Sequence, residues 1–369
     1  MQLKPGCFVC SSRTNLQPCP GCKVAYYCGS NHRIQHQTTH YHVCDSVKEA
    51  RRHLEIEEEK LRHDSAHSVG GPYCVPPLVF ENHAGFFWDI LETRPYMIAR
   101  LNFTDELLAI HTFDAVALVV SEYTDMLRLC PRDDLGISHR LPAQLLRLGR
   151  DQECYDFLKF WANEEDNLYD LNGEDSLTLR QRYDNSDVLD DPTAALKLCS
   201  SEFEMHRFVP AFFLKASLWL NMRELAHAST ILGKTHRTIP PELVINIQLY
   251  LATPAILNNT VILSDIRHGR NLEHHVSTLR SHAELIWRTI SLASGEVFCD
   301  WFHRLKGADS MKSLFSHDWW DSTNMSPTAM AFRRNYQVFM DIPHVARMTE
   351  FILLEEEADE LKNEDEDES

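Results

Sequence analysis

Apolar residues recur at helical intervals along most of this chain. From about residue 78 to 350 the spacing follows the 3.6-residue period, with few alternating β-branched runs, and it predicts an all-α region. In HTFDAVALVVSEYTDMLRLCPRDD the pattern predicts a helix from about Phe113 to Leu129, stopped by Pro131, with Asp133 and Asp134 in the turn. In LPAQLLRLGRDQECYDFLKFWA, Gly149 divides one helix from a second that spans Glu153 to Trp161, which reads as a helical hairpin. Nearer the start, CDSVKEARRHLEIEEEKLRHD carries a capping-box pattern at Ser46 and Glu49 and places Val47, Ala50, Leu54 and Leu61 on one face. It predicts a helix ending near Asp64. The stretch SVGGPYCVPP then has the composition of a break.

Two segments inside the helical region are alike. LPAQLLRL (141 to 148) and VPAFFLKA (209 to 216) share a bulky-Pro-Ala start, a Leu at the sixth place and a base at the seventh, 68 residues apart. That separation is twice 34, and GRDQECYDF resembles the glycine turn and second helix of tetratricopeptide repeats, with Cys154 at the small packing position. The second copy reaches its turn near Asn221, four residues out of register. The alternatives are a repeat-like α-solenoid of helical hairpins and an irregular helical bundle. Cys154, Trp161, Trp219 and Trp319 read as core residues, and His268, His274 and His275 as a solvated helix face.

Charge changes the picture at the two ends. The chain of 369 residues has a formal net charge of −18, which disfavours general attraction to nucleic acid or to an anionic membrane surface. Residues 352 to 369 hold ten acids and one lysine and read as a solvated, disordered tail; Asp166 to Asp191 is polar and reads as a long loop. Apolar runs such as Ala115 to Val120 fall far short of the roughly 18 residues that span a bilayer. The opening MQLKPGCFVC has no apolar h-region, so a reducing compartment, cytoplasmic or nuclear, is expected.

The first 44 residues contain six of the eleven cysteines and few large apolar side chains. Such a segment cannot build a conventional core, and metal is the expected substitute. The pattern is Cys7-x2-Cys10-x8-Cys19-x2-Cys22-x5-Cys28-x3-His32-x7-His40-x3-Cys44. Two CxxC pairs supply two knuckles. Cys28 with His32, and His40 with Cys44, are each four residues apart, as on one face of a short helix. Eight thiolate and imidazole ligands fill two tetrahedral zinc sites and leave no position for water, so the ions are expected to be structural. A structural zinc contributes on the order of 10 to 16 kcal/mol in a small domain. His36 and His42 fit the spacing less well as ligands.

The spacing, with VAYYC before the fifth ligand, resembles the MYND zinc finger over about residues 7 to 44. The resemblance implies interleaved sites, Cys7, Cys10, Cys28 and His32 on one ion and Cys19, Cys22, His40 and Cys44 on the other. Three positions depart from the family pattern: His32 stands for the usual Cys, Arg33 for the usual Gln, and His36 is followed by Gln37 where a Trp is usual. The family commonly serves adapters in regulatory complexes and often holds proline-containing peptides.

The expected architecture is mainly α: a cross-braced two-zinc finger (1–45), a helix and Gly/Pro linker (46–77), an all-α, helical-hairpin and possible solenoid domain (78–351), and the acidic tail (352–369). No GxG occurs among the 13 glycines, so neither a methyl-donor loop of the SET lysine methyltransferases nor a phosphate cradle is visible. Arg51-Arg52 alone is not a basic stripe, which opposes a DNA-associated transcriptional regulator. The expected function is a non-catalytic adapter whose finger and helical domain bind other proteins, with no specific nucleic acid and no membrane.

Overall fold

The structure, a computed structural model, describes residues 3–67, 74–164, 181–234, 239–294 and 327–341. Trp319, the acidic tail, residues 68 to 73 of the Gly/Pro stretch and residues 165 to 180 of the polar loop lie outside the described residues. The chain divides into two compact units, and the first boundary falls between Leu148 and Gly149.

The first unit begins with two short strands, β1 (Gln17–Pro18) and β2 (Tyr26–Tyr27), paired antiparallel with Gln17 opposite Tyr27. Helix α1 (Ser30–Ala66) follows, then α2 (Val79–Asn82), α3 (Arg94–Leu108), α4 (Phe113–Leu129) and α5 (Leu141–Arg147). Helix α1 is 37 residues long and runs through Ser46 without interruption, so Ser46 is not a helix start. The capping-box pattern is overridden because the residues before it already belong to the helix and satisfy its backbone donors. Its exposed side carries ion pairs such as Arg62 with Glu58, while Val47 and Leu61 are buried and the helix packs along α3.

Helix α3 in turn packs on α4, where the buried Arg100 of α3 donates to Glu122 (2.5 Å) and Asp125 (2.7 Å). A buried guanidinium without such partners would be strongly destabilising. Helix α4 starts after Thr112, which caps it, and stops at Leu129, two residues before Pro131. In the turn that follows, the Asp133 carboxylate accepts the N–H groups of Ile137 (2.6 Å) and Ser138 (2.7 Å).

The second unit comprises α6 (Asp151–Glu164), α7 (Pro192–Ala195), α8 (Met205–Lys234), α9 (Pro241–Leu251), α10 (Pro254–Asn258), α11 (Thr260–Arg267), α12 (Glu273–Ser294) and α13 (Pro327–Asp341). Helix α8 is the axis, with α9, α12 and α13 packed on it. Phe208, Phe212, Phe213, Leu218, Met222 and Leu225 are buried on different sides of it, as expected of a helix apolar all round. The Phe212 ring lies 5.3 Å from that of Trp287 on α12.

Gly149, at φ +71, separates α5 from α6. The second copy of the internal match has no such turn: α8 continues through Asn221, where no Gly or Pro stands and the neighbours Leu220 and Met222 are buried in the core. The fold is therefore mainly helical without a repeated hairpin at this place. Cys154, Trp161 and Trp219 are buried. His275 is also buried rather than solvated, since its Nε2 meets the Asp265 carboxylate at 2.8 Å; His268 remains exposed.

Candidate metal centre

Each CxxC pair closes a tight turn whose backbone is aimed at sulfur. In the first, Ser11 N–H donates to the Cys7 carbonyl (2.8 Å) and Cys7 N–H to that of Ser12 (2.8 Å). In the second, Lys23 N–H donates to the Cys19 carbonyl (3.0 Å) and Cys19 N–H to that of Ala25 (2.7 Å). Ser11 and Lys23 each follow the second Cys of their pair, and both are left-handed (φ +57 and +65), a conformation that costs energy for a residue with a Cβ. Nothing about Ser or Lys in the sequence signals it.

These turns, β2 and the start of α1 bring eight side chains into two groups. Cys7, Cys10, Cys28 and His32 form one; Cys19, Cys22, His40 and Cys44 form the other, with the ligand atoms in each within 4.8 Å of one another. They are the two interleaved sets that the resemblance implies. In the first, Cys10 Sγ lies 3.6 Å from Cys28 Sγ, and His32 Nδ1 lies 3.5 Å from Cys7 Sγ and 3.2 Å from Cys28 Sγ. In the second, Cys19 Sγ is 3.6 Å from Cys44 Sγ, and Cys22 Sγ is 3.5 Å from His40 Nε2.

These separations test the metal directly. All six cysteines are free of disulfides, and zinc at about 2.3 Å from sulfur and 2.0 Å from nitrogen would hold tetrahedral ligands about 3.8 Å (S to S) and 3.5 Å (S to N) apart. The residues fit two zinc ions, which when bound would supply structural cross-links with no open coordination position. His40 and Cys44 do share one face of α1, but Cys28 precedes the helix by two residues, so His32 on the first turn reaches back to it. His36 and His42 belong to neither group. His36 is instead stacked on Phe8 at 3.9 Å, and its Nδ1 meets the Tyr27 hydroxyl at 2.8 Å.

The sulfurs differ in their readiness to ionise. Burial works to raise the Cys7 thiol, but N–H donors from Cys28, Cys10 and Val9, with His32, outweigh it and bring it down to about 6. Cys19 is also lowered: burial opposes, and donors from Cys22 and Gly21 prevail. Burial and the adjoining Cys19 push Cys44 up to about 12, and the hydrogen bond with Cys10 takes Cys28 up to about 11. Cys7 and Cys19 are thus eased toward the thiolate, while Cys28 and Cys44 are held toward the protonated form that a bound cation would reverse.

Three supports come from residues outside the eight ligands. Arg51 on α1 donates to the carbonyls of Cys22 (2.6 Å) and Gly21 (3.3 Å), with its guanidinium over the Phe103 ring of α3 at 5.4 Å. Gly21 leaves room for sulfur, since a Cβ there would lie 2.6 Å from Cys44 Sγ. Thr112 joins α4 to the second knuckle through Val24. Two of them have a sequence signal: Gly21, which in CPGC suits a knuckle turn, and the capping role of Thr112, a threonine before an apolar run.

Residues 7–44 match the family model of the MYND finger. No curated protein and no solved structure matches the chain. Among the described residues no helix is long and apolar enough to cross a membrane.

Proposed function

We propose that this chain is a non-catalytic, zinc-stapled adapter, in which the finger at residues 7–44 and the helical units present surfaces to other proteins. The observation that carries the reading is the completeness of the donor sets: each group supplies four Cys or His ligands, and a closed tetrahedral zinc holds structure and leaves no position at which a substrate is activated. Cys7, Cys10, Cys28 and His32 would hold one ion, and Cys19, Cys22, His40 and Cys44 the other. MYND fingers commonly act as protein-interaction modules, which supports the same reading.

The finger also exposes apolar side chains beside these ligands. Phe8, Ile34 and Tyr41 are 41%, 62% and 59% exposed, and the latter two sit seven residues apart on α1. Residues seven apart share a helix face. Proline-containing segments are the ligand class that the family resemblance implies for such a surface. Gln37, exposed on α1, takes the place of the usual Trp, so the aromatic contacts would come from Phe8 and Tyr41.

The test compares proteins retained by the intact chain, by Cys7→Ser/Cys19→Ser, and by Ile34→Asp/Tyr41→Asp, which leaves all eight ligands in place. Partners that bind the intact chain and are lost with both variants support the reading. Identical partner lists for all three would refute recruitment by the finger.

A further inference from the structure

The second unit contains a cavity of about 320 Å³ at the start of α6, lined by no finger residue. Its size is at the lower end of the range for small-ligand sites, about 300 to 1,000 Å³. Asp151 forms part of its wall. That residue is 1% exposed, the one buried carboxylate among the described residues, and its Oδ2 has no hydrogen-bond partner. A buried carboxylate left unpaired is costly, so its persistence calls for a partner that the described residues do not provide.

The base among the described lining residues is committed elsewhere. Arg150 also lines the cavity, but its guanidinium is engaged by both carboxylate oxygens of Glu153. The rest of the wall mainly offers acceptors. Asp156, whose carboxyl burial raises, takes the N–H groups of Asn185 (3.0 Å), Ser186 (2.9 Å) and the Gln152 amide (2.8 Å); Asp184 is exposed at the rim; Asn258 gives its amide N–H to Asn185 and so retains its carbonyl oxygen. Acceptors of this kind need a ligand made of donors, and a guanidinium offers five N–H groups and no acceptor.

Two competing cations fit less well. Among the described residues, the groups close enough to converge on one metal ion are the two in the finger, and these acids are not among them. An ammonium is a compact, strongly hydrated point charge with three donors, whereas a guanidinium is planar, more weakly hydrated and able to bridge several acceptors at once. A free amino acid would also bring its own carboxylate against Asp156 and Asp184, while an arginine within a chain would not. The net charge of −18 favours approach of a basic segment.

We propose that this cavity binds the guanidinium of an arginine carried on a partner protein, with Asp151 as the buried anchor and Asp156 and Asp184 as outer acceptors. The site goes beyond the finger and does not depend on zinc, so either reading can fail without the other.

The experiment uses the full chain loaded with zinc and ligand-observed NMR titrations with three probes: Nα-acetylarginine amide, the uncharged isostere Nα-acetylcitrulline amide, and free arginine. The arginine amide should bind saturably and at least about tenfold more tightly than the other two. Asp151→Asn should weaken it by about tenfold or more, and the rim variant Asp184→Asn by about threefold, with zinc content unchanged. Asp184→Asn decides the matter if Asp151→Asn does not fold. Equal binding of the citrulline probe, equal binding of free arginine, affinity unchanged in the variants, or no saturable binding up to about 10 mM would each overturn the proposal.

Discussion

The hydroxyl of Thr112 joins two parts of the first unit: it accepts the N–H of Ala115 (3.2 Å) as the cap of α4 and donates to the carbonyl of Val24 (2.8 Å) within the second zinc knuckle. One oxygen thus starts a helix and anchors the finger to it. Together with Arg51 and the unbroken α1, this contact makes the finger part of the helical unit rather than a bead on a linker.

Thr112→Val keeps the shape and loses both bonds. It should destabilise the first unit by about 1 to 2 kcal/mol, while Thr112→Ser should stay close to wild type. Thermal unfolding of the zinc-loaded proteins measures the difference, and equal values for Val and Ser would show that the hydroxyl contributes nothing.

Arg51→Lys retains the charge but cannot span two carbonyls with a planar fork. Loss of the bonds to Cys22 and Gly21 should cost on the order of 1 to 3 kcal/mol, seen as faster release of zinc to excess chelator. An unchanged release rate would mean that the knuckle is held without this arginine.

Gly21→Ala introduces a Cβ that would sit 2.6 Å from Cys44 Sγ, so the second group must distort. Metal analysis should find bound zinc reduced from about two equivalents towards about one per chain, with the Cys7 group retained. Gly29→Ala is the control: nothing lies within 4 Å of its Cβ, and its extended backbone accepts any residue. Equal zinc content in the two variants would contradict the close approach.

Asp151 has a pH signature that follows from its burial, which raises its carboxyl from 3.8 to about 6. Between those two values the folded chain holds a proton that the unfolded chain has released, so stability falls as pH rises from about 4 to 6 and stays lower above 6. The loss amounts to about 3 kcal/mol when complete. Asp151→Asn should remove that slope and be the more stable protein at neutral pH. Parallel stability curves for the two proteins from pH 4 to 7 would exclude this account.

Much of the first unit was legible because its signals are local. Thr112 before an apolar run and Pro131 after it fix α4, and the left-handed Gly149 fixes the break between α5 and α6. The ligand spacing likewise marks the finger, since a metal needs particular atoms at particular separations. Ser46 shows the limit of a local signal: its capping pattern is present, but the helix starts sixteen residues earlier. The match between 141–148 and 209–216 misleads for the same reason, because Asn221 is carried through in helix by apolar neighbours packed in the second unit.

By itself, the sequence determined the helical class, the element boundaries set by caps and breakers, and the eight Cys and His residues, all consequences of short-range sterics or ligand chemistry. Tertiary structure decided which sulfur faces which imidazole, that α1 carries the finger into the helical unit, and that Asp151 is buried beside a cavity. Those depend on distances between residues far apart in the chain, and on the removal of water around them, which no spacing along a single strand of residues encodes.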